Sequence, residues 1–204
     1  MKKYFFTLLL SITLTSCVVV KYDAQKNEPP KNIVLSPKPL IDMSETIVRS
    51  EYGDMVCYLP KNWFFVNLDN DTSSEIFAVA VNPDYTLSAV FSKYKNLPAI
   101  SKAIKNQSLT ELAKESIKLQ KQNSPGSVAL IGNINNVNIG DLKFSSYQVS
   151  TTAGALVSNV SCFYTSFGNA YRFALIPMDI IGKPIPSQKE ANTIFESILT
   201  TMKY

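Results

Sequence analysis

The chain predicts an α+β domain, an antiparallel β-sheet of about six or seven strands covered by two main α-helices. Three observations carry that expectation. Runs of β-rich residues are followed by one helical segment, then by further β-rich runs, and a second helical segment closes the chain. Both helical segments open on a capping box, Ser108-Leu109-Thr110-Glu111 and Ser187-Gln188-Lys189-Glu190, where serine and glutamate satisfy each other's backbone amides. A hydrophobic content of 46% in 204 residues is enough for one domain with a core of its own.

The chain starts on Met1-Lys2-Lys3 and an apolar run, Tyr4 to Thr13, which is too short for the ~20 residues a membrane helix needs. A basic start, a short apolar stretch and small residues behind it describe a secretory signal. Leu14-Thr15-Ser16-Cys17 resembles the bacterial lipobox, in which lipid is attached to the cysteine sulfur and the signal is cut before it. The resemblance implies that residues 1–16 are removed and that Cys17 is the lipid-attachment residue, with palmitate-class chains holding the protein to a membrane of the cell envelope. One acyl chain, at about 0.8 kcal/mol per buried CH₂, binds only marginally; the several chains such a cysteine carries imply durable anchoring. Val18, in place of the Asp associated with inner-membrane retention, points to the outer membrane.

Residues 17–45 read as the lipidated N-terminus and a tether. Pro29-Pro30, Pro37 and Pro39, with interspersed lysines, favour extended chain that packs poorly. The domain is expected over 46–204. Met55 to Leu59 alternates and stops at Pro60, as a strand entering a turn does. Glu75 to Val81 and Thr86 to Tyr94 flank the turn signal Asn82-Pro83-Asp84 and predict a hairpin. Leu109, Leu112, Ala113 and Ile117 recur at helical spacing, ended by Ser124-Pro125-Gly126. Breaks at Gly140-Asp141, Thr152-Ala153-Gly154 and Phe167-Gly168-Asn169 divide the next stretch into a four-stranded meander, about 128–138, 142–151, 155–166 and 170–177. Ala191, Ile194, Phe195, Ile198, Leu199 and Met202 then form the stripe of a core-facing final helix.

Leu59-Pro60-Lys61-Asn62-Trp63 resembles the apolar-Pro-x-x-Trp turn of the PsbP-like family, and the order hairpin, capped helix, meander and closing helix is similar across 46–204. The resemblance implies that family's α+β fold. It also implies action by binding other proteins, as in the extrinsic photosystem subunits and the lipoprotein relatives of bacterial envelopes. None of the family's binding residues maps onto this chain.

Chemistry is narrowed mainly by composition. There is no histidine, which excludes Ser-His-Asp and Cys-His catalysis, histidine-ligated zinc and a histidine proton shuttle. Formal net charge is +4, and +2 once Lys2 and Lys3 leave with the signal; with the lysines scattered, no nucleic-acid surface is expected. Asp69-Asn70-Asp71 with Glu75 is the densest acidic cluster, but it lacks the Gly and Glu of a calcium loop and reads as a solvated turn, so no metal site is expected. Asp179 and Glu190 flank a proline-rich loop, where Glu190 already has a capping role. Ser92-Lys93 and Ser101-Lys102 are adjacent in sequence and do not read as dyads. No cofactor and no catalytic group is expected. The candidate recognition residues are Trp63, Tyr58 and Ile185, although a lone tryptophan after a turn more often seals a sheet edge. The expected function is a non-catalytic envelope lipoprotein that binds another envelope protein. The alternative is a histidine-independent hydrolase or small-ligand carrier with a pocket between sheet and helices. Cys57 and Cys162 both fall at core-facing positions of strands, and two free, buried thiols are expected.

Overall fold

The computed structural model describes residues 29–68, 75–124, 128–151 and 156–204. The expected signal, Cys17, the Asp69-Asn70-Asp71 cluster and the breaks at Pro125-Gly126 and 152–154 lie outside the described residues. Among the described residues ten strands and three helices follow one another: β1 (Lys31–Val34), β2 (Met43–Arg49), β3 (Val56–Pro60), β4 (Phe64–Phe65), β5 (Ile76–Val81), β6 (Leu87–Lys93), α1 (Pro98–Lys105), α2 (Leu109–Asn123), β7 (Val128–Ile139), β8 (Leu142–Thr151), β9 (Val157–Tyr164), β10 (Ala170–Pro177) and α3 (Gln188–Thr200).

Eight strands make one sheet in the order β1-β7-β8-β9-β10-β6-β5-β4. The expected meander is its centre, and the expected hairpin joins it where β10 pairs antiparallel with β6, Phe173 opposite Phe91. The sheet is larger than expected and is mixed, because β1 pairs parallel with β7. β2 and β3 form a second, two-stranded sheet. A third helix, α1, joins the two predicted ones. It starts on a proline at its first turn, a residue that tolerates the missing amide bond there, and has no side-chain cap.

The expected start of the folded body at 46 is corrected to about 31. Lys31 to Val34 pair with Asn135 to Asn138, Leu35 and Met43 pack on the core, and the Leu40 amide donates to Ser197 Oγ at 3.0 Å. The prolines at 37 and 39 therefore lie in a crossover between two paired strands. Backbone pairing on the open edge of β7 holds this segment, and its four strand residues are all exposed, so no apolar alternation marks it.

Alternation along β10 divides the core in two. Tyr171, Phe173 and Leu175 face α3, β3 and Trp63; Ala170 and Ala174 face α1 and α2. On the first face Phe91, Phe173 and Phe195 stack in series, with centroids 4.9 Å and 5.1 Å apart. Each such side chain contributes about 1.5–3 kcal/mol by leaving water. The predicted box forms in full at α3, where Ser187 Oγ accepts the Glu190 amide and the Ser187 amide donates to Glu190 Oε2 at 2.8 Å. At α2 only its first half forms: Ser108 Oγ accepts the Glu111 amide, while the Ser108 amide donates to the Ala103 carbonyl and Glu111 turns to Lys114. Cys57 belongs to the α3 face and Cys162 to the α1/α2 face, so the sheet separates two free, buried thiols.

Candidate functional site

The polar surface gathers where β6 leaves the sheet. Lys93 ends the strand, and Tyr94 keeps one further sheet bond, its amide donating to the Ala170 carbonyl at 2.9 Å. The Tyr94 hydroxyl is driven into the second core, where it donates to Ser116 and lies 3.1 Å from Cys162 Sγ. Ser116 also meets the Tyr147 hydroxyl at 2.6 Å. Burial pushes the Tyr94 and Tyr147 phenols well up, with the Cys162 thiol adding to it, and burial likewise raises Cys162. The cluster is therefore neutral and serves as a fixed post. It locks Tyr94 while the lysines on either side remain at the surface.

Those lysines border two hollows. In the first, of about 340 Å³, Lys93 Nζ sits 3.6 Å over the Tyr52 ring, a cation–π contact, with Asn169 and Glu51 on the walls. The second, of about 250 Å³, lies between the sheet and the C-terminal turn of α2, with Arg172, Ser92, Gln120 and Asn123 among its polar lining. Lys95 lines both and forms an ion pair with Glu75 at 2.9 Å.

The first hollow is braced from below by Asp54. Its carboxylate accepts from Ser50 Oγ, Thr165 Oγ1 and Asn169 Nδ2 at 2.8 Å each, and from the Tyr171 hydroxyl at 2.6 Å. Burial works to raise this carboxyl, but the bonds from Tyr171, Asn169, Ser50 and Thr165 together outweigh it and hold it at about 2. Asp54 thus ties the β2–β3 turn to the β9–β10 turn.

A groove of about 680 Å³, lined by apolar side chains together with Arg49 and Asn67, lies between β2 and the β4–β5 edge. Ile47, Phe65 and Val66, three of its lining residues, are 46%, 45% and 40% exposed, while Phe64 packs edge-on against Tyr85 outside it. β4 is the last strand of the large sheet and only two residues long.

The sequence-predicted residues are not brought together. Trp63 is 7% exposed and packs in the main core, its amide donating to the Pro60 carbonyl across a turn that Asn62 closes at φ 68°. Tyr58 is half-buried on β3, its amide donating to Thr201 Oγ1 at 3.0 Å. Ile185 is exposed in the loop before α3. Glu190 is occupied by its cap, whose bonds from Ser187 hold the carboxyl below its usual range. Ser92 and Lys93 border one hollow, yet no hydrogen bond joins their side chains. Among the described residues no group of His, Cys, Asp or Glu side chains has metal-holding geometry. Arg172 and Asp54 went unnoticed in the sequence. Arg172 carries a readable signal, a charge at a core-facing position of an otherwise apolar strand; Asp54 carries none, since three of its partners are more than a hundred residues away.

No protein-family model matches the chain, and no curated protein sequence does. Among solved structures, cyanobacterial PsbP (CyanoP) from Synechocystis sp. PCC 6803 is similar with a TM-score of 0.58 at 11% identity, over 78% of this chain and 92% of that one. LpqN, involved in cell envelope biogenesis of Mycobacterium tuberculosis, scores 0.40 at 13% identity over 79% and 90%. The immunity protein TplEi of the T6SS of Pseudomonas aeruginosa scores 0.36 at 11% over 80% and 78%. Identity this low speaks to fold alone, and only the first score is high enough to do so.

Proposed function

We propose that this chain, whose fold is PsbP-like, is a lipid-anchored protein of the bacterial cell envelope that binds an extended apolar segment of another envelope protein and catalyses no reaction. The observation that carries the binding half is the groove beside β4. Three large apolar side chains line it, each 40–46% exposed, next to a sheet edge that carries no further strand among the described residues. Exposed apolar surface gathered in one place marks interaction sites, and an open edge offers main-chain bonds to an added strand. The anchoring half rests on Leu14 to Cys17 behind a short signal. Val18 favours the outer membrane.

Two measurements test the halves separately. Labelled palmitate is expected to enter the wild-type protein, while Cys17→Ser takes up none and moves to the soluble fraction with an unchanged Tm; continued pelleting after a high-salt wash would refute the anchor. A photocrosslinker at Phe65 is expected to give a discrete adduct in cells that Ile47→Asp removes, while the same probe at exposed Lys102 on α1 gives none. Equal labelling from both positions would refute the groove. The hollow over Arg172 favours a second reading, a small-ligand carrier.

A further inference from the structure

Arg172 sits near the middle of the large sheet with no charged partner among the described residues. It pairs with Ser92 on β6 and Cys162 on β9, and alternation puts it on the face covered by α1 and α2, in line with Ala170 and Ala174. It is half-buried, and among the described residues no ion pair or hydrogen bond engages it; its Nε is buried and unpartnered. The same 250 Å³ hollow holds a second unpartnered buried atom, Gln120 Oε1 on α2. An unpaired buried donor or acceptor costs about 1–3 kcal/mol, and more for a charged group. A site with one orphan of each kind, a donor on a cation and an acceptor on an amide, is costly unless something fills it.

The chemistry of the lining identifies the filler. A guanidinium presents Nε and Nη as a fork that matches a carboxylate, two bonds at once. Of the three cations on its lining, Lys95 is paired with Glu75 and Lys93 Nζ lies over the Tyr52 ring in the first hollow, which leaves Arg172 without a counter-charge among the described residues; a single negative charge balances it. The C-terminal turn of α2 brings a partial negative charge of roughly a half, which is too small to neutralise Arg172 by itself. Gln120 Oε1 requires an N–H or O–H from the occupant. Leu97, Leu119 and Ile76 supply an apolar wall. We propose that this hollow binds a small α-hydroxy or α-amino carboxylate with an apolar side chain: carboxylate on Arg172, the neighbouring donor on Gln120, the side chain against Leu97 and Leu119. This site is on the far face of the sheet from Trp63 and is independent of the groove beside β4.

The test is calorimetric titration of the full lipidated chain in neutral detergent. The probes are L-leucine, 2-hydroxy-4-methylpentanoate, 4-methylpentanoate, which lacks the donor, and leucine methyl ester, which lacks the anion. Saturable binding is expected for the hydroxy or the amino acid, with the donor-less acid and the ester each weaker by about tenfold or more. Arg172→Gln is expected to abolish binding. Gln120→Leu, a substitution that a helix accepts readily, is expected to leave the protein folded and erase the preference for the donor-bearing acid. If Arg172→Gln fails to fold, Gln120→Leu decides. Failure of every carboxylate to bind would mean that the hollow holds only solvent. Equal affinity for 4-methylpentanoate, or binding that survives Arg172→Gln in a folded variant, would equally overturn the assignment. None of these results bears on the crosslink at Phe65.

Discussion

Removing the Asp54 carboxylate should loosen the wall of the first hollow, by an amount that the geometry fixes. Asp54→Ala strands four donors. Those on Ser50, Thr165 and Tyr171 belong to residues 3%, 2% and 1% exposed, so water entering the space left by the partly exposed carboxylate replaces its bonds only in part. Bonds to a charged acceptor contribute about 1.5–3 kcal/mol singly, but four donors on one group are far from additive. About 3–4 kcal/mol is the expected loss, a fall in Tm of roughly 10 °C for a chain this long. Asp54→Asn should cost less, about 1–2 kcal/mol, because the Thr165 hydroxyl can turn and the Asn169 amide can flip to accept from the new amide. The pH dependence separates charge from shape. A folded pKa of about 2, below the ordinary 3.8, means that the contribution is present above the unfolded value and is lost as pH falls through the folded one. The shift is worth about 2 kcal/mol at face value and about 1 after allowance for a carboxylate partly open to solvent. Denaturant melts between pH ~5 and ~1 should therefore show that loss in wild type and not in Asp54→Asn; comparing the two cancels the contribution of Glu190, whose carboxyl is also lowered. A cost under about 1 kcal/mol for Asp54→Ala, or coincident acid limbs, would refute this role of the carboxylate.

Three further outcomes are expected. With Cys17 occupied by lipid as proposed, no thiol should react under native conditions and two should react in denaturant, with no mass change on reduction, because Cys57 and Cys162 are free, fully buried and raised by burial; a native thiol titre would contradict this. Tyr94→Phe should lower stability by about 1–2 kcal/mol with an unchanged denaturant slope, since it deletes one hydroxyl of the Ser116 cluster and keeps the ring; an unchanged midpoint would show that the post is not structural. A photoreactive group at Val34, 79% exposed on β1, should label lipid more strongly than one at Phe65, and the reverse order would place the wrong edge at the membrane.

What the sequence disclosed was set by how much each residue's role depends on its neighbours in the chain. The meander emerged nearly to the residue because its breaks are local turn chemistry and its strands alternate or run apolar. The thiols followed from period two alone: Cys57 with Met55 and Leu59, Cys162 with Val160, each set in its own half of the core. β1, by contrast, has four exposed residues and earns its place only through backbone bonds to β7, a hundred residues later. β2 mixes Ser44, Glu45 and Thr46 into its strand, and β4 has two residues, too few to show any period. The placement of the candidate recognition residues was hidden for a related reason. An aromatic after a turn has the same sequence signature whether it is exposed or sealed, and Trp63 is sealed. The residues of the two hollows come from β6, β10, α1, α2 and two turns, a convergence that only the pairing of β10 with β6 creates.

That strand order also sets how the proposed anchor and the groove relate. The chain enters the fold at β1, one edge of the large sheet, and the groove lies at β4, the other edge. Seven inter-strand steps at ~4.8 Å put those edges roughly 34 Å apart, a little less after twist. Thirteen residues, Val18 to Pro30, separate Cys17 from β1, a span of at most roughly 45 Å however they are arranged. A body tied by its β1 edge has that edge nearest its point of attachment, and its own width carries the groove farther from it. Leu35, Met43 and the Leu40 amide fasten the chain to the body immediately after β1, so slack in the tether cannot be drawn from the folded part. An extended apolar segment reaching Phe65 would therefore come from the compartment the domain projects into, and a lipid surface would have to displace the β1 edge to compete for the same groove.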